Sequence, residues 1–372
     1  MNATERPFII AFYLPQFYPT ETNNKWWGEG FTEWNNVRDA RPLYWGHYQP
    51  KVPADLGYYD LRQQDAREAQ AALAREAGIG AFCYWSYWFG GGREELEEPF
   101  DAVVESGKPD FPFMLCWANE SWHTGFWNRG ERKQKSMIVQ QTYPGDDDIH
   151  AHFNRRLKAF RDSRYLKVGN RPVFMIYEWR SVPQVDRCIE IWNELAKKAG
   201  FDGMYFIAHL KHPHDLRNID EPLAKGFDAV NTIRLWEADV ATTTKVSRGF
   251  RKLNNMLFGI PRVRNYKYLS KCFVKEEDRR EGVFPTLVPN WDHSPRSGRN
   301  ALILHNSTPE QFERHCKEVL LNVRHKSGPN LVFLRAWNEW GEGNYMEPDL
   351  KYGKGYINAM QRAIVDMYGN RV

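Results

Sequence analysis

The chain has 372 residues, of which 42% are hydrophobic and 26% are charged, and its formal net charge is +4. This length and apolar content exclude an intrinsically disordered chain, and the small net charge argues against a protein that binds nucleic acid. Aromatic residues make up 15% of the chain, including 15 Trp and 18 Tyr. Because such rings stack well on flat partners, the composition favours a protein with a surface for sugar rings.

The five Cys residues and the N-terminal segment indicate the cellular compartment. No two Cys residues have C-x-x-C spacing, so neither a zinc ribbon nor a redox dithiol is indicated. The first residues contain no apolar core of a signal peptide, and no stretch approaches the roughly 18 apolar residues of a membrane span. We therefore expect a cytoplasmic protein, which would lie at the inner face of the membrane if residues 245–281 contact lipid.

Short β-branched or aromatic runs alternate with longer helical patterns almost from end to end. The predicted strands cover residues 8–14, 80–85, 113–117, 173–177, 204–208, 229–233, 286–288 and 331–336. The predicted helices cover residues 61–77, 94–105, 146–162, 182–199 and 309–324. Eight near-continuously apolar strands that alternate with helices predict an α/β protein with a closed (β/α)8 TIM barrel. An open, doubly wound sheet is the alternative, but no G-x-G-x-x-G follows the first strand.

Two long segments interrupt this alternation. Residues 15–59 follow the first predicted strand, and residues 235–284 follow the sixth. Segments that follow barrel strands lie at the C-terminal face of the barrel, where catalytic residues collect. We therefore expect a single catalytic barrel domain over residues 1–372, with both insertions beside the same mouth.

Two carboxylates follow the last predicted strand. Residues 337–343 (WNEWGEG) place Glu339 and Glu342 three residues apart on a turn that contains glycine. Cleavage of a glycosidic bond needs such a pair, with one carboxyl protonated for the departing oxygen and the other ionised as base or nucleophile. Flanking indoles exclude water, which can raise the pKa of one carboxyl group. The alternative interpretation is two surface glutamates on an exposed loop.

Polar and aromatic residues at other predicted strand ends are candidates for binding a substrate. They are Tyr13, Trp34, Tyr84, Trp88, Trp117, Asn119, Glu120, Tyr177, Asp292, Arg296 and Asn338. The aromatic members also have an interpretation as core residues, and Glu120 as a carboxylate at a helix start. Glu178 and Trp179 are weaker candidates of the same kind.

No metal site and no cofactor is predicted. Residues 146–148 (DDD) match the D-x-D pattern of nucleotide-sugar transferases, but they lie where a helix is expected to begin, and acidic residues are common there. His150 and His152 are expected on a solvated helix face, and His212 and His214 lie in a loop beside Pro213. None of these sets has a convincing ligand pattern.

Residues 245–281 contain eleven Lys or Arg against four acidic residues, and they mix basic with apolar side chains. Such a segment is typical either of a solvated lid helix or of a surface for a phosphate-bearing or lipid-linked glycan at the membrane face. Because the positive charge is local, nucleic acid is not expected as a partner.

Residues 338–343 (NEWGEG), followed by Glu347, resemble the signature of glycoside hydrolase family 99. They resemble even more closely the WbsX-like family of bacterial surface-polysaccharide gene clusters. The further matching motifs are residues 11–19 (AFYLPQFYP), 27–34 (WGEGFTEW), 84–89 (YWSYWF), 116–122 (CWANESW), 282–285 (GVFP) and 290–296 (NWDHSPR). The resemblance covers nearly the whole chain. It departs slightly at Trp85 and Ser86, where the family has more Tyr or His, so the substrate contacts at that position are open.

The resemblance implies a (β/α)8 fold and retaining, endo-acting hydrolysis of α-mannose-like or deoxysugar polysaccharides. It also implies that Glu339 deprotonates the sugar 2-hydroxyl, which attacks its own anomeric carbon to form a 1,2-anhydro sugar. Glu342 would protonate the leaving group and then activate water. Two alternatives are a glycosyltransferase or transglycosylase of O-antigen or capsule biosynthesis and a non-catalytic glycan-binding protein. The expected partner is an oligosaccharide or polysaccharide, either free or lipid-linked.

Overall fold

Eight parallel strands form a closed barrel in a computed structural model that describes residues 6–127 and 136–369. The strands are β1 Phe8–Tyr13, β2 Ala81–Trp88, β3 Phe113–Trp117, β4 Arg171–Ile176, β5 Tyr205–Leu210, β6 Ala229–Thr232, β7 Val283–Leu287 and β8 Leu331–Leu334. Each strand pairs with the next in chain order, and β1 pairs in parallel with both β2 and β8. The predicted TIM barrel is confirmed, since this closure excludes an open sheet.

Helices cover the outside of the barrel and build the loops at its mouth. They are α1 Glu21–Trp27, α2 Glu33–Arg38, α3 Gln64–Glu76, α4 Glu98–Ser106, α5 Asp146–Arg161, α6 Val185–Lys198, α7 Asp220–Ala224, α8 Leu235–Ala241, α9 Lys245–Phe258, α10 Tyr266–Leu269, α11 Ser294–Ser297, α12 Pro309–Val323 and α13 Gly355–Tyr368. The predicted helices are confirmed as α3 to α6 and α12, with ends shifted by a few residues. The N-cap of α12 is Thr308, whose hydroxyl accepts a hydrogen bond from Gln311 N.

Successive side chains of a strand point to opposite faces, and this alternation divides the barrel interior from the layer beneath the helices. Phe12 points inward, where its ring stacks on Trp85 at 4.7 Å and meets the edge of His209 at 5.6 Å. Tyr13, the next residue, points outward, and its hydroxyl donates to Gln70 of α3 at 2.6 Å. A shift of one residue therefore decides whether a side chain reaches the barrel interior.

The segments after β1, β6 and β7 are joined at the C-terminal mouth. Asp292, after β7, accepts hydrogen bonds from Gln49 at 2.7 Å and pairs with His47 at 2.8 Å, and both partners belong to the segment after β1. Residues Arg262–Asn265, from the segment after β6, form a two-stranded parallel sheet with Leu302–His305. These contacts fix the long loops relative to one another.

Among the helices within residues 6–127 and 136–369, none is both long enough and apolar enough to cross a membrane. Residues 1–5, part of the segment examined for a signal peptide, lie outside the described residues.

Candidate active site

The turn at residues 337–343 follows β8 directly and lies at the mouth of the barrel. Asn338 fixes its start, because the side-chain oxygen accepts from Leu14 N at 2.7 Å and the side-chain nitrogen donates to Leu14 O at 2.9 Å. Gly341 is required by close packing, since a Cβ at this position would overlap the Glu33 carboxylate. Gly343 has a φ of +54°, a conformation that favours glycine. The sequence of the turn is thus dictated by its geometry.

The buried carboxylate of Glu347 holds this turn in place. Glu347 accepts hydrogen bonds from Trp340 Nε1 and Gln70 Nε2, both at 2.6 Å, and from the Tyr59 hydroxyl at 2.8 Å. The Trp340 ring stacks on Tyr345 with 3.8 Å between ring centroids. Burial raises the pKa of Glu347 to about 7. Its donors come from three parts of the chain, so Glu347 ties the turn to α3 and to the segment after β1.

Arg296 of α11 contacts three carboxylates at once. Its Nη1 lies 2.8 Å from Glu342 Oε1, its Nη2 lies 3.3 Å from Glu339 Oε2, and its Nε lies 2.9 Å from Glu33 Oε1. Arg335 adds a weaker contact, with its Nη2 3.5 Å from Glu342 Oε2. The two glutamates of the turn therefore lie side by side on one guanidinium group.

The neighbours of the two glutamates shift their pKa values in opposite directions. Burial, together with the negative charge of Glu342, raises the pKa of Glu339 to about 7. Burial alone would raise the pKa of Glu342 as well, but the positive charges of Arg296 and Arg335 outweigh it and lower this pKa. Below about pH 7 the pair therefore carries one proton, which resides on Glu339.

The pair lies on the wall of a cleft of about 500 Å³, which six aromatic side chains line together with charged and polar residues. The aromatic residues of the wall are Trp85, Tyr87, Trp122, Tyr177, Trp236 and Trp291. Trp85 also donates a hydrogen bond from Nε1 to Glu339 Oε1 at 3.0 Å. His293 lies 3.7 Å from Glu342 and is neutral at neutral pH, because burial lowers its pKa to about 4. Aromatic walls around a buried acid pair suit a ligand with apolar faces and hydroxyl edges.

One end of the cleft is polar. Lys211 Nζ lies 3.1 Å from Glu120 and 2.5 Å from Glu178, and it also lies 3.7 Å above the Tyr177 ring. His212 is 3.3 Å from Glu178. This end continues into a second cavity of about 430 Å³, which Glu120 and His212 also line. The combined space is an extended groove rather than a closed pocket.

The structure brings part of the predicted site together in this cleft. The predicted residues that line it are Glu120, Tyr177, Arg296, Glu339 and Glu342. The remaining predicted residues are buried and do not line the cleft: Tyr13, Trp34, Tyr84, Trp88, Trp117, Asn119, Asp292 and Asn338. For these residues, direct substrate contact stays a prediction, and Asn119 lines the second cavity beside Glu120.

The alternation of side chains along each strand explains the positions of most of these residues. Tyr84 packs on Phe100 of α4 with 5.3 Å between ring centroids, whereas Trp85, one residue later, faces the cleft. Trp117 likewise turns outward and donates from Nε1 to Trp88 O at 2.8 Å. Trp34 belongs to α2, where its Nε1 donates to a backbone carbonyl at 2.8 Å.

His152 is a related correction. It was expected on a solvated helix face, but it is buried and stacks on Trp88 with 4.9 Å between ring centroids. Trp88 Nε1 in turn donates to Asp148 at 3.1 Å. Residues 146–148 form the first turn of α5, as the helix interpretation predicted.

Asn119 connects two loops, because its side chain donates to Glu178 O at 2.9 Å and to the Tyr143 hydroxyl at 3.0 Å.

Several residues of the cleft were missing from the prediction, among them Trp85, Tyr87, Lys211, His293 and Arg335. Trp85 and Tyr87 could have been found from the alternation of β2, had its phase been known. Arg335 is the first residue after β8, and Lys211 is the first residue after β5, which is a detectable position. Their long side chains had no distinguishing pattern in the sequence.

A family profile described as "Glycosyltransferase WbsX" matches residues 9–360. The chain belongs to this WbsX family. Protein WxcX of Xanthomonas campestris pv. campestris is 35% identical to this WbsX-family chain over 362 residues, which are 96% of the chain and 49% of WxcX. The chain therefore spans about half the length of the curated relatives of this kind that it matches.

More distant relatives carry names that state an activity. A glycoprotein endo-alpha-1,2-mannosidase of Rattus norvegicus is 23% identical over an alignment of 383 positions. The alignment covers 93% of this WbsX-family chain and 70% of the rat protein. The solved GH99 endo-alpha-mannosidase of Bacteroides thetaiotaomicron has a TM-score of 0.55 at 12% identity, with 97% of each chain covered. A solved glycoside hydrolase-like protein has a TM-score of 0.58 at 14% identity, with 98% of this chain and 95% of the other covered. These structures share the fold of the WbsX-family chain.

Proposed function

We propose that this protein is a retaining, endo-acting glycoside hydrolase that cleaves an α-mannose-like or deoxysugar polysaccharide through a 1,2-anhydro sugar. The observation that carries the proposal is the pair Glu339 and Glu342, which lie on one guanidinium group in the wall of an aromatic cleft. A pair that shares one proton has both the acid and the base that glycosidic cleavage requires.

In the first step, Glu339 removes the proton of the sugar 2-hydroxyl, and this oxygen attacks the anomeric carbon. The bond from that carbon to the leaving oxygen breaks, and Glu342 gives the leaving oxygen a proton. In the second step, Glu342 removes a proton from water, which attacks the anomeric carbon and opens the three-membered ring. The 2-oxygen then takes a proton back from Glu339. Two inversions at the anomeric carbon give net retention.

Three observations support this proposal. The open groove, continued past Glu120 into a second cavity, suits cleavage within a chain rather than at its end. The aromatic walls suit sugar rings. The names of the distant relatives describe endo-acting mannosidases.

The charge state of the free site bears on how the two roles are divided. The proton resides on Glu339 before substrate binds, whereas the proposed acid is Glu342. Both distributions are forms of the same singly protonated pair, so the reaction requires transfer of this proton to Glu342 when substrate enters. A raised pKa also makes Glu339 a stronger base for the 2-hydroxyl. Exchanged roles would have the same total charge, so a variant test must separate them.

The test compares E339Q and E342Q on a polysaccharide and on a substrate of the same sugar with a fluoride leaving group, which needs little protonation. We expect both variants to lose about 10²-fold or more of their activity on the polysaccharide. On the fluoride, E342Q should recover activity and E339Q should not. The reverse pattern would assign the exchanged roles. The matched control is E105Q, because Glu105 is exposed on α4 and does not line the cleft.

A second candidate function is transfer of the glycosyl group to a sugar hydroxyl in the assembly of a surface polysaccharide. The family description as a glycosyltransferase favours it, and a hydroxyl can open the same 1,2-anhydro ring as water. Adding an oligosaccharide acceptor to the reaction separates the two functions, since a transferase forms longer products in preference to free reducing ends.

A non-catalytic glycan-binding protein is the third alternative. Glycan binding by the wild type, E339Q and E342Q alike, with no cleavage or transfer by any of them, would support it and contradict the hydrolase.

A further inference from the structure

Helix α9, Lys245–Phe258, is attached to the protein by its polar side. Its half-buried residues are Ser247, Arg251, Asn254 and Asn255, and none of its residues is fully buried. Asn255 donates to the backbone oxygens of Ile260 at 3.0 Å and Arg299 at 2.6 Å, and Arg251 lies 3.7 Å from Asp239. A surface helix normally packs its apolar side against the protein. In α9 this arrangement is inverted.

A second face of α9 carries an apolar stripe, and this stripe is exposed to solvent. Val246, Phe250, Leu253 and Leu257 follow the helical spacing i, i+4, i+7 and i+11, so they share one face. Their exposed fractions are 83%, 65%, 45% and 59%, respectively. Four large apolar side chains on one exposed stripe indicate a surface that another apolar phase covers.

Basic residues dominate the sequence around this stripe. Residues 245–275 contain nine Lys or Arg and no Asp or Glu. Lys245 and Lys252 are exposed on α9 itself along one flank of the stripe, whereas Arg251 faces Asp239. A helix with an apolar stripe and a cationic flank matches the interface of an anionic bilayer, which takes up apolar side chains at the acyl boundary and cations at the headgroups.

The helix also lies near the rim of the candidate active site. Residues that line the cleft include Trp236, Arg262, Asn300 and Leu302, which belong to the segments on either side of α9 or next to its contact at Arg299. A surface bound to α9 would therefore lie close to the mouth of the barrel.

We propose that α9 docks this protein on the surface of an anionic lipid membrane, with Val246, Phe250, Leu253 and Leu257 in the acyl boundary and Lys245 and Lys252 at the headgroups. A second copy of the chain is a less suitable partner, because it would bring two clusters of positive charge together. Docking would hold the cleft beside the membrane, where it could reach a glycan carried on a lipid. Only this last consequence rests on the proposed hydrolase function.

The test is flotation of the full chain with vesicles of phosphatidylcholine, either alone or mixed with phosphatidylglycerol. We expect flotation with the mixed vesicles and not with phosphatidylcholine alone. The triple variant F250S/L253S/L257S should lose at least about tenfold of its binding. K245E/K252E should bind more weakly by about fivefold or more for each charge altered, and added salt should weaken the wild type. The matched control is L350S, since Leu350 is 70% exposed and lies outside α9.

Equal flotation of the wild type and the triple variant would overturn the proposal, as would a wild type that does not bind the mixed vesicles. A dimer that the triple variant disperses, without vesicle binding, would assign the stripe to a second copy and overturn it too. The thermal unfolding of each variant is measured in parallel, and it should be nearly unchanged because the stripe faces solvent. E339Q should float like the wild type, so a failure of the hydrolase proposal is distinguishable from a failure of docking.

Discussion

At the residue scale, two identical side chains acquire different chemistry from their neighbours. Glu339 lies against Trp85 and meets Arg296 at 3.3 Å, whereas Glu342 has Arg296 at 2.8 Å and Arg335 at 3.5 Å. The closer cations hold the negative charge on Glu342, and burial then keeps the proton on Glu339. The asymmetry of the pair is thus produced by the placement of two arginines.

The shared proton predicts a pH dependence. Because the pKa of Glu339 is raised to about 7, the pair loses its proton as pH rises through this value. We expect kcat/KM to fall above about pH 7, whichever glutamate acts as the acid, since both assignments need one proton on the pair. The measurement is kcat/KM against pH at constant ionic strength. A rate that keeps rising to about pH 9 would contradict a singly protonated pair.

Burial of the Glu339 charge predicts a gain in stability when the charge is removed. The pKa of Glu339 in the folded protein, about 7, lies above its ordinary value of 4.5, so the unfolding free energy falls as pH rises between these values. At about pH 8, E339Q should therefore be more stable than the wild type by roughly 1–3 kcal/mol. The difference should disappear near about pH 4, where the wild-type carboxyl is protonated in both states. Denaturant unfolding at both pH values checks this, and a variant less stable at the higher pH would contradict it.

At the element scale, the site depends on how the ends of the strands are connected. Asn338 joins the end of β8 to the end of β1, and Asp292 joins the loop after β7 to the segment after β1. These residues were expected to touch the substrate. In the structure, they hold the elements that place Glu339, Glu342 and Arg296.

Because Asn338 connects the ends of β8 and β1, we expect N338A to lower the stability of the protein. Removal of the side chain leaves Leu14 N and Leu14 O without partners in a buried site, so the unfolding free energy should fall by about 2–4 kcal/mol. N338D should also be destabilised, because its second carboxylate oxygen would face the Leu14 carbonyl oxygen in a fully buried site and has no hydrogen to donate. Denaturant unfolding of both variants measures this. A large rise in KM without loss of stability would instead indicate direct substrate contact.

At the scale of the whole molecule, the barrel could be predicted because its eight strands are buried on both faces and read as apolar runs. The turn with Glu339 and Glu342 could be placed because it directly follows the last of these runs. The phase of the strands could not be predicted. A shift of one residue exchanges Tyr84 for Trp85, and apolar runs carry no alternation that fixes the phase.

The orientation of α9 was likewise beyond the sequence. Its apolar period is the same whether the stripe faces a core or solvent, and only the contacts of Arg251 and Asn255 decide between them. The same holds for Arg296, which lies 43 residues before Glu339 and meets it only because α11 folds over the mouth. Charge patterns that depend on such distant contacts appear only in the folded chain.

The central claim is that Glu339 and Glu342 cleave a glycan with retention of configuration. The most direct test is NMR of the products in the first minutes of digestion of α-linked mannan and rhamnan-type oligosaccharides, with E339Q as the inactive control. We predict that the first anomer released has the α configuration of the substrate and that it forms from internal cleavage. Initial release of the β anomer by the wild type, absent with E339Q, would contradict the retaining mechanism.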